Sequence, residues 1–141
     1  MTEKTVIPFK LKNFLGVNPD YCARLEAVGI KNTGQMLKAG RTPSRRREIA
    51  GEANVPLTAV IELVKLSDLA RLPGVKGVRA RLYYDACVDT VEKLASFESE
   101  ALLRLTSEFV ERTGFPGIAP LPKEVSSTIE NARKIPKIVE Y

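Results

Sequence analysis

The residues of this 141-residue chain whose types and spacing could do chemistry are basic, and their chemistry is to hold an anion. Lys76, Arg79 and Arg81 follow a Gly-Val step at Gly74-Val75. Lys38, Arg41, Arg45, Arg46 and Arg47 form a second group earlier in the chain. A net charge of +5 favours polyanionic partners such as nucleic acid. Histidine is absent, which removes the commonest general base and the commonest metal ligand together. Cys22 and Cys87 lie far apart in apolar stretches, a spacing that suits neither a zinc cluster nor a disulfide framework, and both read as buried reduced thiols. Glu98, Glu100, Glu108 and Glu111 share a helical stretch with Arg104 and Arg112, a pattern that suits i,i+3 and i,i+4 pairing better than acid-base work. No Ser-His, Cys-His or phosphate-loop arrangement occurs. The expectation is a protein that is not an enzyme, with no cofactor, no metal and no small-molecule substrate.

These residues are positioned by a unit that occurs twice. Leu15-Gly16-Val17-Asn18-Pro19 leads through Tyr21 to Leu25, then to Gly29-Ile30, Thr33 and Leu37. Pro73-Gly74-Val75-Lys76-Gly77 leads through Arg79 to Leu82, then to Cys87-Val88, Thr90 and Leu94. With Gly16 set on Gly74 the copies stay in step as far as Ile30 and Val88, and one extra residue in the first brings Thr33 onto Thr90. Such a duplicated period, about 60 residues, decides the organisation before any single motif does.

Strand signals are nearly absent, with alternation only around Phe9-Lys10-Leu11-Lys12, and helix caps are frequent, so the fold is expected to be all-α. Asn18-Pro19 and Thr42-Pro43 read as helix starts, and Gly29, Gly40, Asn54 and Gly114 as stops. A helix over 55–71 has Leu57, Val60, Ile61 and Val64 on one side and Leu63, Leu66, Leu69 and Ala70 round the other. An apolar surface on both sides predicts burial on both, as a connector between two halves. Helices over 98–112, with Leu102, Leu105 and Phe109, and up to Pro136, with Val125, Ile129 and Ala132, complete the chain. Pro116, Pro120 and Pro122 stiffen the crossing between them, and Ile138-Val139-Glu140-Tyr141 forms an extended tail. The division is an N-terminal arm at 1–13, a first repeat with connector at 14–71 and a second repeat with last helix and tail at 72–141, all in one domain. The start is too short and too soon charged for a signal segment, and no apolar run approaches the ~20 residues that span a bilayer, which points to the cytoplasm.

Two helices joined by a tight loop with a Gly-Val step, present twice around a connector helix, resemble the tandem helix-hairpin-helix family over residues 14–96. The overall order and tail also look like an uncharacterised family of such paired proteins. The resemblance implies a helix-hairpin-helix, SAM-like architecture and a grip on a DNA phosphate by main-chain N–H groups at the start of a helix, where the helix dipole favours an anion. Carried onto this chain, the binding positions are Gly16, Val17 and Asn18 in the first loop and Gly74, Val75, Lys76, Gly77 and Val78 in the second, with Arg79 and Arg81 within reach of the same phosphate. Where the family has its second glycine, this chain has Asn18 and Lys76, and Pro19 removes one donor. Asn18 tolerates a left-handed turn, and Gly77 can shift the second turn by one residue.

Plainer readings stand beside these. Gly74 and Gly77 can serve only a tight turn. Lys38, Arg41, Arg45, Arg46 and Arg47 fan round a helix as a solvated face, with Glu48 and Glu52 as partners, or act as an auxiliary phosphate clamp. Lys4, Lys10 and Lys12 form a DNA-reaching arm, or the arm packs Phe9, Leu11 and Phe14 on its own domain. Of Tyr83 and Tyr84, one is expected in the core and one partly exposed. The function expected is sequence-independent binding of a nucleic-acid backbone, most readily duplex DNA. The alternative is a protein-interaction adaptor, which apolar surface exposed at Leu66 and Leu69 would favour.

Overall fold

In a computed structural model the chain is described from Val6 to Tyr141, and Lys4 of the arm lies outside the described residues. After a 3₁₀ turn at Leu11–Asn13 come eight helices: α1 (Pro19–Ala27), α2 (Thr33–Ala39), α3 (Pro43–Ala53), α4 (Leu57–Leu69), α5 (Gly77–Asp85), α6 (Val91–Ala95), α7 (Ser99–Thr113) and α8 (Pro122–Lys134). The described residues contain no strand. The alternation at Phe9–Lys12 yields one isolated bridge, Lys10 to Asn32.

Local chemistry sets most boundaries. Asn18 and Thr42 cap α1 and α3 with proline at the first helical position, and Thr90 caps α6. Asn32 and Gln35 form a reciprocal capping box on α2. Asn54 at φ 56° and Gly114 at φ 66° end α3 and α7 in the left-handed conformation.

The pair α1–α2 corresponds to α5–α6 at a constant offset of 58 residues, from Gly16 and Gly74 to the caps Asn32 and Thr90. The extra residue expected in the first copy is therefore absent. Thr33 answers to Val91, and the buried Met36 answers to Leu94. The turn between helices is left-handed in both, at Gly29 (φ 90°) and at Cys87 (φ 69°), and Ile30 and Val88 close it by donating to the carbonyls of Leu25 and Tyr83. Cys87 is thus an exposed turn residue, not the buried thiol expected; Cys22 is buried.

Helix α4 packs on α2 and α3 and also on α5, while α6 and α7 pack on α8. Leu63, Leu66 and Leu69 are buried along α4, so both of its sides are covered, although Leu57 at its start is 38% exposed. Full burial of a leucine stabilises by about 1.5–3 kcal/mol, which makes this helix the main tie between the elements on either side. The arm folds inward too. Phe14 and Leu11 are buried, Phe9 meets Phe14 edge-on at 5.0 Å, and Leu11 and Phe9 bond the main chain of Lys31 and Thr33. The tail returns to the first half of the chain. Val139 is buried, Glu140 donates to the Arg41 carbonyl at 2.9 Å, and the Tyr141 hydroxyl bonds Asp68 at 3.0 Å.

Candidate functional site

The two loops that the sequence singles out lie against each other. The Leu15 amide points to the Gly77 carbonyl at 3.4 Å, and a Cβ built on Gly77 would meet the Asn13 carbonyl oxygen at 2.3 Å. Gly77 is therefore needed for close approach of two backbones, while the left-handed turn itself is made at Gly74 (φ 82°). Lys76 is extended at φ −102°, so the turn does not shift to Gly77 as the sequence allows.

The loops differ in what they leave free. In the first, Gly16 takes the left-handed turn at φ 77° and Val17 is half-buried. The Asn18 side chain accepts from the amides of Asp20 (2.9 Å) and Tyr21 (3.4 Å), and Pro19 has no N–H, so the first turn of α1 keeps no donor for a ligand, while the amides of Val17 and Asn18 before it donate to no acceptor among the described residues. In the second, Val75 is buried with its amide bonded to the Leu72 carbonyl. Lys76 provides no side-chain cap, and the amides of Lys76, Gly77, Val78 and Arg79 donate to no acceptor among the described residues. Gly77 is buried, whereas Lys76 and Val78 are exposed.

Arg79 and Arg81 are committed to the protein. Arg79 holds Glu124 through Nε (2.6 Å) and Nη2 (3.2 Å), and its Nη1 donates to the Ile118 carbonyl at 2.7 Å. Arg81 is buried; it donates to the Leu15 carbonyl at 2.6 Å and to Glu62 at 2.7 Å, reaches Asp85 at 3.4 Å and lies over the Tyr84 ring. Both charges are offset by carboxylates, which leaves Lys76 as the uncompensated cation of this loop among the described residues.

The second basic group divides in the same way. Arg46 is buried and donates to the carbonyls of Gly40 (2.8 Å) and Glu140 (2.7 Å), and burial lowers its pKa from the ordinary arginine value. Arg45 pairs with Glu48. Lys38, Arg41 and Arg47 are exposed and form no ion pair among the described residues. Arg41 joins Lys137 in lining a shallow cavity of about 310 Å³ under the tail. Tyr83 is in the core and Tyr84 half-buried, and burial pushes the Tyr83 phenol up to about 12.

Sequence reasoning missed the crossing between α7 and α8 as part of this site. A Cβ on Gly117 would stand 3.0 Å from the Val78 side chain, so the crossing rests on the first turn of α5. The available signal was apolar Ile118 and Leu121 set among prolines, outside any helical period.

The arrangement is that of an all-α protein whose second loop leaves main-chain donors unpaired among the described residues, beside an exposed lysine. The chain belongs to the family described as a domain of unknown function (DUF4332), which matches residues 15–135. No curated protein and no solved structure matches the chain. No helix among the described residues is long and apolar enough to cross a membrane.

Proposed function

We propose that this protein binds a nucleic-acid backbone without reading its sequence, as a tandem helix-hairpin-helix protein whose second hairpin makes the phosphate contact. The observation that carries the reading is the uncapped first turn of α5, with its amides at Gly77, Val78 and Arg79 beside the exposed Lys76. Free N–H groups, the positive end of the helix and one lysine make an anion site. The first hairpin, with Asn18 and Pro19 using or removing the same donors, serves as support for the second. Arg79 and Arg81 then act as scaffold, while Lys38, Arg41 and Arg47 remain available as auxiliary cations. The adaptor alternative loses the feature that would have favoured it, since Leu66 and Leu69 are fully buried.

The test is a fluorescence-anisotropy titration of random-sequence duplex across a series of salt concentrations. Lys76→Ala should lower the log-log salt slope by about one unit, as expected for one lost phosphate contact. An unchanged slope removes the second loop from the interface. Arg47→Ala measured alongside tells whether the auxiliary cations join it.

A further inference from the structure

Among the described residues, three of the seven exposed large apolar side chains belong to the α7–α8 crossing and the first turn of α5. Ile118 is 84% exposed and Val78 44%, where the α7–α8 crossing meets the first turn of α5, and Leu121, three residues after Ile118 at the end of the crossing, is 72% exposed. Exposed apolar groups clustered on a rigid support mark a contact surface.

The support here is rigid. Pro116, Pro120 and Pro122 restrict the crossing, and the Pro120 side chain is buried. Phe115 packs on Phe109 of α7 with ring centroids 6.2 Å apart. Arg79 pins the segment at two points, the Ile118 carbonyl and the Glu124 carboxylate. Ile118 is thus presented from a prearranged loop, so little ordering cost remains when something binds it.

The charges around it favour an anionic occupant. Lys76 immediately precedes α5 and Lys123 lies in the first turn of α8, two residues after Leu121; both are exposed and in no ion pair among the described residues, while Glu124 is already satisfied by Arg79. A nucleic acid offers phosphates for the lysines and amides together with apolar base faces for Ile118 and Leu121. In an intact duplex those faces are stacked away, and an apolar wedge reaches them only where a step is opened.

We infer that Ile118 and Leu121 form such a wedge, and that the protein prefers nucleic acid with an interrupted stack, at a gap or bulge, over continuous duplex. This rests on the backbone-binding reading above and adds the class of substrate. The wedge contacts the base next to the phosphate held at α5.

The experiment compares anisotropy titrations of the full chain with an intact duplex and with the same duplex carrying a one-nucleotide gap. Wild type should bind the gapped form about tenfold tighter, a contact comparable in size to stacking one base on a side chain. Ile118→Ser/Leu121→Ser should bring the ratio to about one and leave intact-duplex affinity within about twofold, because both side chains are exposed and their loss leaves the fold intact. Ile118→Phe should widen the ratio. Equal binding of both duplexes by wild type, or a ratio unchanged in the serine variant, overturns the wedge and leaves backbone binding standing. A wild type that binds neither duplex overturns both. Binding of anionic lipid vesicles in a parallel sedimentation assay, with no preference between duplexes, assigns the patch to a membrane surface and also overturns the wedge.

Discussion

Tyr83 shows what one buried polar group does to the molecule. Its ring is fully buried on α5, and its hydroxyl sits near Thr128 of α8 without forming a hydrogen bond. Burial raises the phenol from its ordinary value of 10.0 to about 12. The folded state therefore holds this proton more tightly than the unfolded state, and the associated stability is fully present below pH 10 and lost as pH rises from there towards 12. Tyr83→Phe should keep or slightly raise stability at pH 7, by up to about 1 kcal/mol, since an unpaired buried hydroxyl is removed. It should also lose less stability than wild type between pH 9 and 12 in urea melts. Part of the alkaline loss will remain, because Tyr141 is raised too, by burial and then by the nearby Asp68 carboxylate. An identical alkaline decline in both proteins would show that Tyr83 is not the group responsible.

Glycines separate elements that tolerate a side chain from those that do not. Gly51 lies inside α3, and a Cβ there meets nothing within 4 Å, so Gly51→Ala should stabilise by about 0.5–1 kcal/mol through helix propensity alone. Gly77→Ala must push the Asn13 backbone away and should cost about 1–3 kcal/mol. Thermal melts of the two variants check both signs, and the same contrast shows what was legible in the sequence. Helix ends at Asn18, Thr42, Asn54 and Gly114 follow from chemistry within four residues, and each appeared where the sequence placed it. The burial of α4 on both sides was likewise written in its own residues. The role of Gly77 depends on Asn13, far away in the chain, and Glu124, which Arg79 holds, and Leu15, which Arg81 holds, lie 45 and 66 residues off. Apart from Asp85, four residues after Arg81, no local pattern announces the partners of these arginines, so they read as free cations when they are structural. The misplaced extra residue has a different cause: matching Thr33 to Thr90 follows residue type, whereas Asn32 occupies the cap that Thr90 fills in the second copy.

At the scale of the whole molecule, several long-range polar contacts join the early part of the chain to the late part. Arg81 grips Leu15 and Glu62, Arg71 bonds the Pro136 carbonyl at 3.0 Å, and Arg46 holds Glu140. Asp68, whose pKa is raised by burial against the lowering pull of Arg71, receives the Tyr141 hydroxyl from the end of the tail. Helix α4 presents one apolar side to α2 and α3 and another to α5. Buried residues of both halves, from Leu11 to Val139, join in one hydrophobic core. Severing the peptide chain at the exposed Gly74 should then give two fragments that are largely unstructured when purified apart and regain helical circular dichroism when mixed in equal amounts. The two halves are expected to fold only as a couple, and a fragment that stayed helical in isolation would disprove that dependence.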